Sequence, residues 1–216
     1  RGCSFEIAPG ESVGVVGRTG AGKSSLVAVI FRLIDPVDGR VLLDGVDTRT
    51  VGLDALRSRI TIIPQEPVLM QGTVRYNLDP FDEYDDHELV AALHRVQLGS
   101  RLKLTDVVGK SGGNFSAGER QLMCFARALL LRDNRILVMD EPSSSLDLAT
   151  DEVIVSLVQD EFRAERGCTL LTIAHRLETV IQADRILLMD AGRVAEFDRP
   201  RALLQRQESS FRQMVD

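Results

Sequence analysis

The stretch Gly17-Arg18-Thr19-Gly20-Ala21-Gly22-Lys23-Ser24 decides how the rest of this sequence is interpreted. It has the spacing G-x-x-x-x-G-K-S, in which glycines let backbone N–H groups close around a phosphate group. Ser12–Val16 before it indicates a short buried strand, and Ser25–Leu33 after it is apolar at helical spacing. This context is the one that the spacing requires, so we predict a phosphate site with Lys23 on the β- and γ-phosphates and Ser24 on Mg²⁺. The alternative is a glycine-rich turn that binds nothing.

Length and composition narrow the class of protein. A chain of 216 residues fits one domain, or one domain with a lobe, and its alternating strand and helix patterns predict an α/β fold with a mainly parallel sheet. The net charge of −6, without a long basic run, argues against a nucleic-acid partner. No apolar run in the sequence approaches the roughly 18 residues of a membrane span. Because the sequence starts within a predicted strand, Cys3–Ile7, we expect a domain of a longer protein.

A pair of adjacent carboxylates gives the second strong signal. Asp140 and Glu141 end the apolar run that begins at Arg135. Because neighbouring strand residues point to opposite sides, the two carboxylates cannot do the same work. We predict that Asp140 belongs to the Mg²⁺ shell and that Glu141 polarises the attacking water as a general base. An acidic pair that merely starts a loop is the alternative interpretation.

Two further polar side chains follow predicted buried strands. Gln65 comes shortly after Ile60–Ile63, and His175 directly follows Cys168–Ala174. The carboxyl ends of strands are the edge at which α/β sheets bind ligands, so both are candidate site residues. A loop glutamine that faces water and a structural or exposed histidine are the alternatives.

A helical lobe is predicted within the α/β core. Strand patterns nearly vanish from Thr73 to Leu131, whereas His87–Val96 and Glu119–Leu131 are amphipathic at helical spacing. We therefore expect one domain over residues 1–216, with a core of 1–66 and 132–216 and a helical subdomain of about 67–131.

A second anion-binding end is predicted at the start of the lobe's long helix. The stretch Ser111–Glu119 contains two adjacent glycines and then Ser116 and Gly118 just before that helix. A serine and free backbone N–H groups at a helix start can hold an anion. An ordinary N-cap that follows a flexible loop explains the same residues.

Taken in this order, the motifs resemble the nucleotide-binding domain of an ATP-binding cassette (ABC) transporter, over essentially the whole chain. The resemblance implies the ABC ATPase fold: a P-loop NTPase core with a mainly parallel sheet, an antiparallel β subdomain and an inserted helical subdomain. It identifies the Walker A loop at Gly17–Ser24 followed by Ser25, the Q-loop glutamine Gln65, the C-loop Asn114–Glu119, Walker B at Ile136–Asp140 with the catalytic Glu141, the D-loop Ser144–Asp147 and the switch histidine His175.

The resemblance also implies cofactors and partners. ATP and Mg²⁺ would bind together, with Ser24, Gln65 and Asp140 as the metal-binding residues. Two cassettes would meet head to tail, and the C-loop and D-loop of one would contact the ATP of the other. The residues that make this trans contact would be Ser116, Ala117, Gly118, Glu119 and Asp147. Transmembrane domains of the same transporter would complete the assembly, with this domain on the cytoplasmic face of a membrane.

Finer detail resembles the C subfamily, the multidrug-resistance-protein type, and favours its second cassette. The C-loop departs from the family's common Leu-Ser-Gly-Gly-Gln, because Phe115, Ala117 and Glu119 replace three of its residues. The aromatic residue that stacks on adenine in the family would lie before Arg1. Export is the expected function. A regulatory, weakly hydrolysing cassette that gates a channel or receptor, and a non-transport ABC ATPase, are the alternatives.

Overall fold

The computed structural model describes residues 2–140, 147–174 and 180–215. The chain divides into two compact units. The first, called the sheet unit below, comprises Arg1–Thr61, Arg135–Glu141 and Cys168–Asp216. The second, called the helical unit, comprises Ile62–Asn134 and Pro142–Gly167. The helical unit is therefore built from two insertions into the sheet unit's chain.

The described strands and helices follow one another along the whole chain. The strands are β1 (Ser12–Val16), β2 (Leu42–Leu43), β3 (Val46–Asp47), β4 (Ile60–Ile63), β5 (Gly72–Thr73), β6 (Val107–Val108), β7 (Ile136–Asp140), β8 (Thr169–Ile173), β9 (Arg185–Asp190) and β10 (Arg193–Asp198). The helices are α1 (Lys23–Ile30), α2 (Leu53–Arg57), α3 (Val74–Leu78), α4 (Asp86–Arg95), α5 (Ala117–Leu130), α6 (Leu148–Leu157), α7 (Pro200–Gln205) and α8 (Ser210–Val215). Short 3₁₀ turns cover Thr48–Thr50 and Lys110–Gly112, and a π-helical segment, Val158–Glu165, continues α6.

The principal sheet has the strand order β10-β9-β1-β8-β7-β4. Strand β1 pairs in parallel with β8 and β9, and β7 pairs in parallel with β8. Strand β10 is antiparallel to β9, and β2 and β3 form a separate antiparallel hairpin. A mainly parallel sheet with antiparallel strands and accompanying helices confirms the predicted α/β fold class.

The sheet unit buries both faces of its central strands. Val15 of β1 and Leu187 of β9 belong to one buried apolar cluster, which also contains Val27 and Phe31. Their neighbours Val16 and Leu188 belong to a second cluster, with Leu203 and Phe211. Since successive strand residues point to opposite faces, the near-continuous apolar runs of β1 and β9 are what a doubly covered sheet requires.

The helical unit is held together by its own aromatic core. Phe125 of α5 and Phe162 of the π-helical segment are both fully buried, and their ring centres lie 6.3 Å apart in an edge-on arrangement. The guanidinium of Arg166 donates hydrogen bonds to the carbonyl oxygens of Leu129 and Leu131, which satisfies the last turn of α5. Within the described ranges, no helix has both the length and the apolar character needed to cross a bilayer.

One local prediction was wrong. Residues 3–7, expected to form a strand, have no regular secondary structure. Phe5 packs edge-on against the ring of Phe197 at 5.9 Å, and the Glu6 carbonyl accepts a hydrogen bond from the Arg185 side chain. Side-chain contacts therefore hold this segment in place of a strand ladder.

Candidate functional site

The glycine loop adopts a backbone that only glycine accepts easily. It contains positive φ angles of 152° at Gly17, 81° at Gly20 and 105° at Gly22. Gly22 is the N-cap of α1, and no side chain caps this helix start. The N–H groups of the first turn, from Lys23 onward, therefore face the concave side of the loop without a capping side chain, where they can bind an anion.

The loop is supported from behind by the hairpin of β9 and β10. A Cβ atom on Gly17 would lie 2.4 Å from the carbonyl oxygen of Met189, so this position has no room for a side chain. The Gly192 N–H donates a 2.9 Å hydrogen bond to the Ala21 carbonyl. Sequence analysis did not find Met189 and Gly192 as supporting residues, because no local signal connects this hairpin to the loop.

Lys23 is the central cation of the site. Its side chain is buried, and its ammonium donates hydrogen bonds to the carbonyl oxygens of Gly17 at 2.7 Å and Arg18 at 3.3 Å. Burial lowers the pKa of Lys23, and the negative charge of Asp140 acts in the opposite direction. The loop therefore concentrates positive charge at the start of α1, while the side chains of Thr19, Ser24 and Ser25 are exposed.

Asp140 lies at the same edge of the sheet as the loop. In the register of the parallel strands, Asp140 pairs with Ile173 of β8, and Ile173 pairs with Val15 of β1, just before the loop. The carboxylate is half-buried. The structure thus brings Asp140 together with the Gly17–Ser25 segment at the carboxyl ends of the strands. Glu141 and His175, which follow β7 and β8 in sequence, lie outside the described residues.

In the helical unit, Ser116 begins α5 in a reciprocal capping box. The Ser116 hydroxyl oxygen accepts a 3.1 Å hydrogen bond from the Glu119 N–H, and the Glu119 carboxylate accepts one of 2.8 Å from the Ser116 N–H. The other carboxylate oxygen of Glu119 lies 2.9 Å from the guanidinium of Arg101. These hydrogen bonds from Ser116, followed by the Arg101 charge, lower the pKa of Glu119. Sequence analysis had missed Arg101.

Gln65 and Asp147 also lie in the helical unit. Gln65 is exposed, and the preceding carbonyl, that of Pro64, accepts a 3.3 Å hydrogen bond from the buried side chain of Gln121 on α5. Asp147 is the N-cap of α6 and accepts hydrogen bonds from the N–H and hydroxyl groups of Thr150. The predicted trans residues, Ser116–Glu119 and Asp147, therefore belong to one compact unit, while the Walker A loop and Asp140 belong to the other.

Comparison with known proteins places these observations in a family. The family model described as ABC transporter matches residues 1–144. The chain is 52% identical to the probable multidrug resistance-associated protein lethal(2)03659 of Drosophila melanogaster, over 99% of this chain and 16% of that protein. It is 50% identical to human ATP-binding cassette sub-family C member 4, over 95% of this chain and 16% of that protein. The chain thus spans less than two thirds of the length of either relative.

A solved structure extends the similarity to three dimensions. A bacterial Atm1-family ABC exporter, solved with ATP bound, aligns with a TM-score of 0.89 and 36% sequence identity. The alignment covers 99% of this chain and 38% of the exporter chain. The similarity to that exporter therefore extends along nearly all of the fold described above.

Proposed function

This chain belongs to the ABC transporter family, as an ATPase domain of the multidrug-resistance-protein (C subfamily) type, and on that premise we propose that it powers export across a membrane. The relatives are much longer than the chain, so transport is proposed for the whole protein that contains it. In that protein it would work with a second cassette and with transmembrane domains, on the cytoplasmic face of the membrane. We place it as the second cassette, with a core of 1–66 and 132–216 and a helical subdomain of about 67–131.

The start of α1 is the observation that carries the proposal. Its first turn has no side-chain cap, its approach is formed by left-handed glycines, and Lys23 holds a buried ammonium there. Backbone N–H groups, the positive end of the helix dipole and one lysine together suit the β- and γ-phosphates of ATP. The segment that would contact the nucleotide is Gly17, Arg18, Thr19, Gly20, Ala21, Gly22, Lys23, Ser24 and Ser25.

The polar residues around this loop suit Mg²⁺ as the companion of ATP. Ser24, Asp140 and Gln65 offer hydroxyl, carboxylate and amide oxygens, which are the hard ligands that Mg²⁺ prefers. When bound, Mg²⁺ neutralises charge on the β- and γ-phosphate oxygens. Glu141 would accept the proton of the attacking water, and His175 would hold the γ-phosphate.

The capping box gives the trans contact a chemical basis. Because the Ser116 oxygen already accepts the Glu119 N–H, its hydroxyl hydrogen is available to an acceptor beyond the helix. A γ-phosphate oxygen bound by the opposite cassette is such an acceptor. Ser116, Ala117, Gly118, Glu119 and Asp147 would thereby close the site and exclude water from the reaction.

The decisive experiment is ATP turnover by the full-length protein in membranes. Glu141→Gln should keep ATP binding and lower turnover by about 10²–10⁴-fold, since it removes the proposed general base. Turnover that survives this substitution would overturn the role of Glu141. Wild-type protein that binds ATP without hydrolysing it would support the regulatory alternative and overturn the proposal of powered export.

A further inference from the structure

We propose that Thr150 is a positioning residue that joins the C-loop to the D-loop, and that position 118 is glycine because Thr150 packs against it. This inference rests on the proposed function, since it concerns how the two trans elements are held for their contact with ATP. It assigns a role to Thr150, which the family motifs do not include.

Gly118 has no conformational need to be glycine. Its φ angle lies outside the positive range, and it sits in the first turn of α5, where alanine is a better helix former. The restriction is one of space. A Cβ atom at Gly118 would lie 2.9 Å from the hydroxyl oxygen of Thr150, 3.1 Å from its methyl carbon and 3.4 Å from its Cβ.

The direction of that Cβ atom is as informative as its distances. The three nearest atoms all belong to Thr150, on α6 within the same unit. A side chain at position 118 would therefore point into the helical unit, toward α6. Close packing between α5 and α6 accounts for the glycine, and a close approach of phosphate is not needed to explain it.

Thr150 is in turn fixed to the D-loop residue. Its N–H donates a 3.0 Å hydrogen bond to one carboxylate oxygen of Asp147, and its hydroxyl donates one of 2.9 Å to the other. These two hydrogen bonds hold the pKa of Asp147 below its ordinary value. One side chain thus touches Gly118 and orients Asp147.

A mechanical consequence follows from this arrangement. If Ser116 at the start of α5 moves, the packing of Gly118 on Thr150 carries Asp147 with it. The C-loop and D-loop would then approach the opposite cassette as one body, and loosening Thr150 would reduce turnover without touching the Walker A loop. Thr150 therefore acts through Asp147 and Gly118 and has no direct contact with the reacting atoms.

The test is a double-mutant cycle on ATP turnover by the full-length protein. Gly118→Ala should lower kcat about tenfold, because overpacking of a close contact costs roughly 1–3 kcal/mol. Thr150→Ala alone should lower kcat about threefold through loss of the Asp147 tie. In the double variant the clash is absent, so kcat should stay within about threefold of wild type, not the ~30-fold loss expected if the effects were independent.

A second pair of variants separates the hydroxyl from the methyl group. Thr150→Val keeps the shape and removes the hydrogen bond to Asp147, whereas Thr150→Ser keeps the hydrogen bond. We expect the valine variant to lose about threefold in kcat and the serine variant to lose less than twofold. ATP binding measured without turnover should be unchanged in both. Thr105→Val, at an exposed threonine, is the matched control.

The outcomes are distinct. A double variant as impaired as Gly118→Ala would overturn the packing explanation and point to the phosphate. Equal effects of the valine and serine variants would overturn the role of the hydroxyl. Failure of the proposed function itself would appear elsewhere, as ATP binding that does not depend on Lys23.

Discussion

The ammonium of Lys23 donates a 2.7 Å hydrogen bond to the carbonyl oxygen of Gly17, the first residue of its own loop. The same ammonium reaches the Arg18 carbonyl at 3.3 Å. The side chain is therefore folded back across the loop that it serves, and its charge is already in place before a phosphate arrives. A preorganised cation of this kind strengthens binding because no new ordering is needed.

Lys23→Met is the first predicted test of this arrangement. Methionine keeps the apolar stem and removes the charge, so the charge-assisted contacts to phosphate are lost, each worth about 1.5–3 kcal/mol. The expected result is an ATP dissociation constant about 10- to 150-fold higher, measured by fluorescent-nucleotide binding to the full-length protein. Lys103→Met, at an exposed lysine of the helical unit, should leave the constant unchanged. Equal affinities for the two variants would show that Lys23 does not bind the nucleotide.

Glu11 carries a predicted acid sensitivity of the sheet unit. Its carboxylate accepts hydrogen bonds from the Arg185 guanidinium and a 2.8 Å bond from the Ala8 N–H, and these keep its pKa below the ordinary value of 4.5. Because the folded-state pKa is depressed, the stabilisation is fully present above the unfolded pKa and is lost as pH falls through the folded value. Glu11→Gln should lower the free energy of unfolding by about 1–2 kcal/mol at pH 7, and this difference should shrink below pH 4.5.

Denaturant unfolding at several pH values between 7 and 3.5 measures this prediction. Glu208→Gln, at an exposed glutamate of the same unit, provides the matched control and should differ little from wild type at any pH. A Glu11→Gln difference that stays constant down to pH 3.5 would contradict the link to carboxylate ionisation.

Glu119 places a negative charge beside the proposed phosphate contact, and Arg101 balances it. Glutamine at this position can still accept the Ser116 N–H, so Glu119→Gln removes charge with little change to the cap. We expect the ATP concentration for half-maximal turnover to fall about two- to fivefold, because charge near a helix start is worth roughly 0.3–1 kcal/mol. Arg101→Gln, which leaves the carboxylate unbalanced, should raise it by a similar factor.

The two substitutions should be coupled. In the Glu119→Gln background, Arg101→Gln has no carboxylate to unbalance and should have little effect. Arg49→Gln, which breaks the exposed Arg49–Asp47 pair of the sheet unit, is the control for loss of a surface arginine. An unchanged or higher ATP requirement in Glu119→Gln would refute the charge argument.

Elements with strong local signals were predictable from the sequence. Strand β1, the turn at Asp44-Gly45 and the hairpin that turns at Ala191-Gly192 lie where the sequence places them. Helix α1 was predicted over Ser25–Leu33 but runs from Lys23 to Ile30. It ends early because Arg32 adopts a left-handed φ of 50° and the Leu33 N–H returns to the Ala28 carbonyl, which is a helix-ending geometry that apolar spacing does not encode.

Features that depend on distant parts of the chain could not be predicted. The contact of Gly118 with Thr150 joins two helices, and the support of Gly17 by Met189 joins a loop to a hairpin. The sequence indicated a helix from Leu148 onward, but not its change to π-helical geometry at Val158. Hydrophobic spacing predicts which face is buried, whereas these details are set by the partner that covers it. The roles of the site residues themselves stay predictions.

Arg127 of α5 is predicted to hold the segment that follows Gln65. Its guanidinium donates to the Val68 carbonyl at 3.0 Å and to the side-chain oxygen of Asn77 at 2.9 Å, and it also bonds the Asn77 carbonyl. Asn77 in turn accepts the Met70 N–H at 2.8 Å. A lysine cannot reproduce this planar fork. Arg127→Lys should therefore lower the free energy of unfolding by about 1–3 kcal/mol and speed amide hydrogen exchange at Met70.

The matched control for this prediction is Arg132→Lys. Arg132 is mostly exposed and pairs with Glu88 at the surface, so its replacement should change the unfolding free energy by less than about 0.5 kcal/mol. Hydrogen exchange followed by mass spectrometry reports the segment directly. If exchange at Met70 is the same in wild type and in Arg127→Lys, the guanidinium does not hold this segment. In that case the order of the segment must come from Asn77 alone, whose side chain also donates to the Met70 and Thr73 carbonyls.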